Sequence, residues 1–197
     1  MRLFIAVAPP EPVLDHLQAA SAPLRDSFPD LRWTDRSAWH VTLAFLGEVS
    51  ATAADRLMPR LERAAHRHGG FELAFSAAGA FPRPTRANVL WCGLSGSVDA
   101  LRELAMSVAA GARRAGAPPP DSGRAFRPHL TLARCRTPTD VTPLVSALEV
   151  YASEPWRVSE IFLIESRLRA IPRYTVLGRW PLKPSGCDTN RTPGQWV

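Results

Sequence analysis

One tetrapeptide occurs twice in this chain of 197 residues: His40-Val41-Thr42-Leu43 and His129-Leu130-Thr131-Leu132, extended in both copies by an alanine, Ala44 and Ala133. The chain has 5 His, and two of them open the same motif. Val41, Leu43 and Phe45 are apolar at alternate positions, as are Leu130 and Leu132, which is the period of a strand. Residues i and i+2 of a strand share a face. His40 and Thr42 therefore point one way, ~7 Å apart along the strand, while Val41 and Leu43 point to a core. By the same parity Phe45 is expected to pack in the core. Two such strands side by side present two imidazoles and two hydroxyls to one small space.

The chemistry of that space is restricted. Two histidines can divide acid and base roles near neutral pH. The hydroxyls of Thr42 and Thr131 can donate hydrogen bonds to non-bridging phosphate oxygens. Arg134, just past Thr131 and expected on the same face, adds a planar cationic fork suited to phosphate. The set fits a phosphodiester and requires no metal and no cofactor.

The flanks extend the pattern: Met1-Arg2-Leu3-Phe4-Ile5-Ala6 at the start, Phe45-Leu46-Gly47 after the first motif, and Phe126-Arg127-Pro128 before the second. Glu165-Ser166, Tyr174 and Trp180-Pro181-Leu182 follow downstream. On these residues the chain resembles the 2H phosphoesterases, and among them the RNA 2′,3′-cyclic phosphodiesterases, also called 2′-5′ RNA ligases. The resemblance implies an α+β fold of two pseudo-symmetric lobes of antiparallel sheet, with outer helices and an active-site cleft between them. It implies hydrolysis of RNA 2′,3′-cyclic phosphate ends to 2′-phosphomonoesters, with His40 as proton donor and His129 as acceptor. The two motifs are nearly identical, so the residues alone leave those roles open. Run backwards, the same arrangement joins a 5′-hydroxyl to a cyclic end. The competing readings are a related enzyme acting on a small cyclic nucleotide or an ADP-ribose cyclic phosphate, and an RNA-end-binding module without turnover.

Composition adds little that conflicts. A net charge of +6 favours an anionic partner such as RNA, although Lys183 is the only lysine and the bias to arginine is also compositional. Three widely spaced cysteines, Cys92, Cys135 and Cys187, read as free thiols rather than a disulfide or zinc framework. His66 and His68 have no cysteine or carboxylate partners in sequence and read as solvated. No apolar run has the length of a membrane span, and the 2–8 run is too short for a signal peptide. A cytoplasmic monomer with RNA as its partner is expected, with no protein partner implied.

Along the chain, periodicity predicts a strand over 2–8 and a helix from Pro12 to about Ser27. A short extended piece at 31–33 precedes the first motif strand, which closes at Gly47. Ser50 or Thr52 caps a helix ended by Gly69-Gly70. Strands follow at 71–75 and 88–93 around a rigid basic loop at 81–86. Ser97 caps a third helix that ends at Gly116, and a flexible loop over 117–124 leads to the second motif strand. A short helix over 140–150 and two strands, 156–168 and 173–182, complete a domain over 1–183. A loose tail is expected over 184–197. Phe126, Trp39 and Tyr174 are candidates to stack on a base or to pack in the core, and Arg127 and Arg83 are candidate RNA-backbone contacts.

Overall fold

In a computed structural model of the chain, residues 1–120, 125–167 and 172–184 are described. The elements run β1 (Arg2–Val7), α1 (Glu11–Ser27), β2 (Arg32–Trp33), β3 (Val41–Glu48), α2 (Ala51–Ala65), β4 (Phe71–Phe81) and β5 (Ala87–Gly96). They continue with α3 (Val98–Ala115), β6 (Leu130–Thr139), α4 (Thr142–Ala147), β7 (Trp156–Val158), β8 (Glu160–Ser166) and β9 (Tyr174–Pro181). The class is α+β, as the periodicities predict. The expected tail from 185 onward, and residues 121–124 of the expected loop, lie outside the described residues.

All the described strands belong to one antiparallel sheet, ordered β7-β4-β5-β6-β3-β1-β8-β9, with β2 paired to β6. The order divides into two halves of four strands that meet between β6 and β3. There a single residue pair is made, Val41 with Leu130. Beyond that pair the strands diverge, and β2 fills the wedge, with Arg32 opposite Arg134 and Trp33 opposite Ala133.

The stretch 156–168 is not one strand. Residues 156–158 pair with Phe71–Leu73 at one edge of the sheet, while β8 pairs with β1 in the other half. Only Ser159 separates them. The sheet must therefore curl until its ends approach, giving a half-barrel. Its closure is pinned at the turn after α2, where the Lys183 N–H donates to the His68 carbonyl at 2.8 Å and Gly69 bridges Lys183.

One face of the sheet carries the main core. Leu3, Ile5, Val41, Leu43, Leu90 and Leu130 meet Leu17 of α1, Leu57 and Leu61 of α2, and Leu101 and Leu104 of α3. Each helix holds its apolar stripe at helical spacing. The Ser50 hydroxyl accepts from the Ala53 N–H and starts α2. Gly116 ends α3 at φ 84°, a left-handed turn that glycine adopts without Cβ strain. Ser97 precedes α3 but its side chain makes no capping bond. The opposite face of β1 and β8 carries a smaller apolar cluster of Phe4, Ala6, Phe162 and Ile164, with Tyr174 against it. Both faces of β1 are thus covered, which is why its sequence is a continuous apolar run and not an alternation. No helix among the described residues is long and apolar enough to cross a membrane.

Both motif strands carry a β-bulge at the same place. Ile5 pairs with Ala44 and Ala6 with Thr42, leaving Leu43 as the extra residue. Leu90 pairs with Ala133 and Trp91 with Thr131, leaving Leu132 as the extra residue. A bulge resets the in/out parity of the residues that follow it. Leu43 and Ala44 are both buried, and so are Leu132 and Ala133. One expectation changes as a result, and a second holds for a reason that alternation does not supply. Phe45 is not core packing: it is 37% exposed on the Thr42 face, with the Arg2 guanidinium 4.9 Å from its ring centroid. Arg134 is three residues beyond Thr131, so strict alternation would turn it inward. The bulge is what returns it to the Thr131 face.

Candidate active site

His40 immediately precedes β3 and His129 immediately precedes β6, so the pairing of Val41 with Leu130 brings the two motifs together. Counting outward in an antiparallel register, His40 lies toward Thr131 and Thr42 toward His129. Each imidazole is held in the same way. His40 Nδ1 donates to the Ala38 carbonyl at 2.7 Å, and His129 Nδ1 donates to the Arg127 carbonyl at 2.6 Å. A carbonyl oxygen can only accept, so Nδ1 carries the proton, and in each neutral ring Nε2 keeps its lone pair.

Each ring also rests on two aromatics. Phe4 stacks on His40 at 4.6 Å between centroids, and Tyr174 meets its edge at 5.6 Å. Phe81 meets His129 edge-on at 5.0 Å, and Trp91 lies at 6.2 Å. Phe4 and Trp91 come from corresponding strands of the halves, β1 beside β3 and β5 beside β6, while Tyr174 comes from β9 and Phe81 from β4. Phe4, Phe81 and Trp91 carry no mark in the sequence that separates them from core residues. The duplicated register does not find them either: the counterpart of Phe4 is Val89 and that of Trp91 is Ala6.

Burial pushes the His40 pKa down to about 4, against the hydrogen bond to Ala38, and the positive neighbours His129, Arg134 and Arg173 push the same way. Burial also lowers the His129 pKa, with Arg134 adding to the shift and the bond to Arg127 opposing it. Arg134 thus acts on both imidazoles, while its own side chain is exposed. Arg32 was not singled out by sequence. It stands directly opposite Arg134 in the β2–β6 pair, so both point to one face. Neither makes an ion pair with any described residue. Two like charges facing each other across a pair are unfavourable unless an anion lies between them. Thr42 and Thr131 are half-buried on this face, their hydroxyls without a partner among the described residues.

The remaining candidates separate. Tyr174 is part of the site through His40 and Phe4. Arg127 is exposed, with its guanidinium 5.7 Å from the Phe81 ring centroid. Phe126 is half-buried against the main core, with no ring contact to either histidine among the described residues. Trp39 is a core residue, 1% exposed, and so cannot stack on a base. His68 Nε2 is 2.8 Å from the Ser107 hydroxyl and ties α2 to α3 rather than standing in solvent.

Paired imidazoles on a duplicated sheet, each with a neighbouring threonine and sharing an arginine, define a two-histidine phosphoesterase. The chain belongs to the 2′-5′ RNA ligase superfamily, whose family model matches residues 9–169. It is 35% identical to an RNA 2′,3′-cyclic phosphodiesterase of Escherichia coli over 144 residues, 73% of this chain and 75% of that protein. It is 30% identical to the enzyme of the same name from Thermus thermophilus over 202 residues, 99% of this chain and 98% of that one. Among solved structures, TT0787 of Thermus thermophilus superposes with a TM-score of 0.76 at 27% identity, covering 93% of this chain and 99% of the other. E. coli LigT in its apo form gives 0.74 at 31% identity, covering 92% and 97%.

Proposed function

We propose that the protein hydrolyses RNA 2′,3′-cyclic phosphate ends to 2′-phosphomonoesters by acid–base catalysis with His40 and His129, without a metal ion. The observation that carries the reading is the identical fixing of the two rings by the carbonyl two residues before each. With both Nδ1 atoms so engaged, the two Nε2 atoms are the ring nitrogens left for acid–base chemistry at the phosphorus. Water attacks in line with the departing 3′ oxygen. His129 Nε2 takes the proton from water and His40 Nε2 gives one to the leaving oxygen, as family precedent assigns them. Thr42, Thr131 and Arg134 hold the non-bridging oxygens, whose charge grows as water adds.

The free cleft keeps His40 neutral above about pH 4. To act as the acid it takes up a proton as the anionic phosphate docks, because a nearby negative charge favours the imidazolium. Phe45, exposed on the Thr42 face, offers a ring for the terminal base. The reverse reaction, attack of a 5′-hydroxyl on the cyclic end, uses the same groups and forms a 2′-5′ link.

The test is cleavage of an oligoribonucleotide with a 2′,3′-cyclic end in EDTA, followed across pH for the wild type and both His→Ala variants. A 2′-phosphate product, a bell-shaped profile and at least ~100-fold loss in each variant are expected. Turnover that appears only with an added divalent ion would make the histidines ligands and overturn the mechanism. Poor turnover of RNA ends beside rapid turnover of a small cyclic nucleotide would move the substrate to that class.

A further inference from the structure

Beyond the paired histidines the described structure has a second concave site, a pocket of about 380 Å³ lined by Pro82, Arg83, Arg86, Asn88 and Pro138. It arises from the register of β5 and β6. Arg134 to Thr139 on β6 spans only Val89 to Ala87 on β5, so β6 arches away from its partner and its Pro138 forms one wall. The opposite wall is the short turn after β4. That turn is held at one end by the Arg86 N–H on the Arg83 carbonyl, 3.1 Å, and at the other by the Val141 N–H on the Pro84 carbonyl, 2.9 Å. Both arginines are exposed and make no ion pair with any described residue. The amide of Asn88 likewise has no partner among them. The nearest acid in sequence, Asp140, is engaged by the Thr142 N–H at 2.9 Å.

Two strands, β4 and β5, run from the active site to the pocket. Phe81, the last residue of β4, packs on His129, and the next residue lines the pocket. Trp91 pairs with Thr131, and Asn88 lies up the same strand, ~10 Å away at ~3.3 Å per residue. That is the length of roughly three stacked nucleotides at ~3.4 Å each, and fewer when the strand is extended. Arg134, opposite Val89, stands between the two places.

We infer that the pocket of Arg83, Arg86 and Asn88 binds an internal phosphodiester of the RNA strand, two or three nucleotides upstream of the cyclic end. This rests on the proposed function above. Two guanidiniums match the two non-bridging oxygens of a backbone phosphate, and the Asn88 amide adds a neutral donor. Groups engaged on a backbone phosphate carry no base information, so the contact serves length and not sequence. The protein should therefore prefer a polynucleotide end over a mononucleotide.

The experiment compares kcat/KM for a mononucleoside 2′,3′-cyclic phosphate with that for oligoribonucleotides of two to eight residues bearing the same end. It uses the wild type, the Arg83→Ala/Arg86→Ala double variant, and Asn88→Asp, which keeps both arginines but adds a carboxylate. The wild type should favour the four-residue substrate over the mononucleotide by ~10-fold or more. In both variants that ratio should fall toward one. In the double variant the dependence of log(1/KM) on log salt for the oligomer should flatten by ~0.7 per lost phosphate contact. A wild type with no preference for length, or variants that keep the wild-type ratio, would overturn the inference while leaving the proposed function standing. A wild type that turns over neither substrate would overturn both.

Discussion

Val41 and Leu130 are paired across β3 and β6, and they are the second residues of the two repeated tetrapeptides. This one pair sets equivalent positions of the two halves opposite each other at the centre of the sheet. Both side chains are fully buried. The histidines and threonines on either side of them are left on the other face. The identical bulges, at Leu43 and at Leu132, then give each half the same reset of parity.

Because burial depresses the pKa of both histidines, stability should fall in mild acid. An unfolded chain takes up protons on these rings below about 6.5, while the folded His40 refuses its proton until about 4. Between those values the unfolded state holds more protons, so stability rises with pH there, is complete above the window and is lost as pH falls through it. With allowance for partial solvent exposure, the loss attributable to His40 is on the order of 1–2 kcal/mol. Urea midpoints at pH 7.0 and 4.5 for the wild type and His40→Gln check it. The variant should show the smaller difference.

Binding of a 2′-phosphomonoester product at pH 7 should be accompanied by net uptake of a proton. The free imidazoles are neutral, and the incoming anion favours the charged form. Calorimetry in buffers of different ionisation enthalpy measures that uptake directly. Its loss in His40→Ala would assign it to that ring. Uptake unchanged in His40→Ala and lost in His129→Ala would exchange the two roles.

Arg134→Gln should raise the pKa of both His40 and His129, since its charge lowers both. NMR titration of the two ring resonances gives the result. The same variant should lose about 10–100-fold in kcat/KM, the range for one charge-assisted phosphate contact. Arg32→Gln should weaken binding as well, with little effect on the pKa of His129, for which it is not among the charges that act.

Gly79→Ala should disturb His129 from a distance. A Cβ at Gly79 would collide with the Trp91 ring, and Trp91 lies beside His129. Displacing the ring should cost about 1–3 kcal/mol of stability, as overpacking does, and lower kcat more than it raises KM. Thermal unfolding and steady-state kinetics check both. A Gly79→Ala protein with wild-type kcat would show that Trp91 does not position the histidine.

The pairing of His with Thr is legible from the tetrapeptide because strand parity is local. The α+β class and the order of helices and strands are legible for the same reason, from Leu57, Leu61 and Ala64 at helical spacing to Phe71, Leu73 and Phe75 at strand spacing. Strict parity misplaces Phe45, and it would turn Arg134 inward as well, away from the Thr131 face where it is expected and found. Both depend on a bulge, and a bulge is a relation between two strands that neither sequence announces. The break at Ser159 is hidden because Trp156 and Val158 look like a continuation of β8. Only their partners, in β4 and β1, tell them apart.

By itself the sequence determined the chemistry available to this protein: two imidazoles, two hydroxyls and a surplus of guanidinium groups, spaced so that each His shares a face with its Thr. The tertiary structure alone decided which groups meet. It brought residues 40 and 129 together through one central pair, turned Phe45 and Arg134 into the cleft, and set Arg32 beside Arg134. It also surrounded the two rings with Phe4, Tyr174, Phe81 and Trp91 and so lowered the proton affinity of both. The physical reason is that parity and propensity act within a few residues, whereas register, burial and electrostatic environment depend on what the rest of the chain packs against the same atoms.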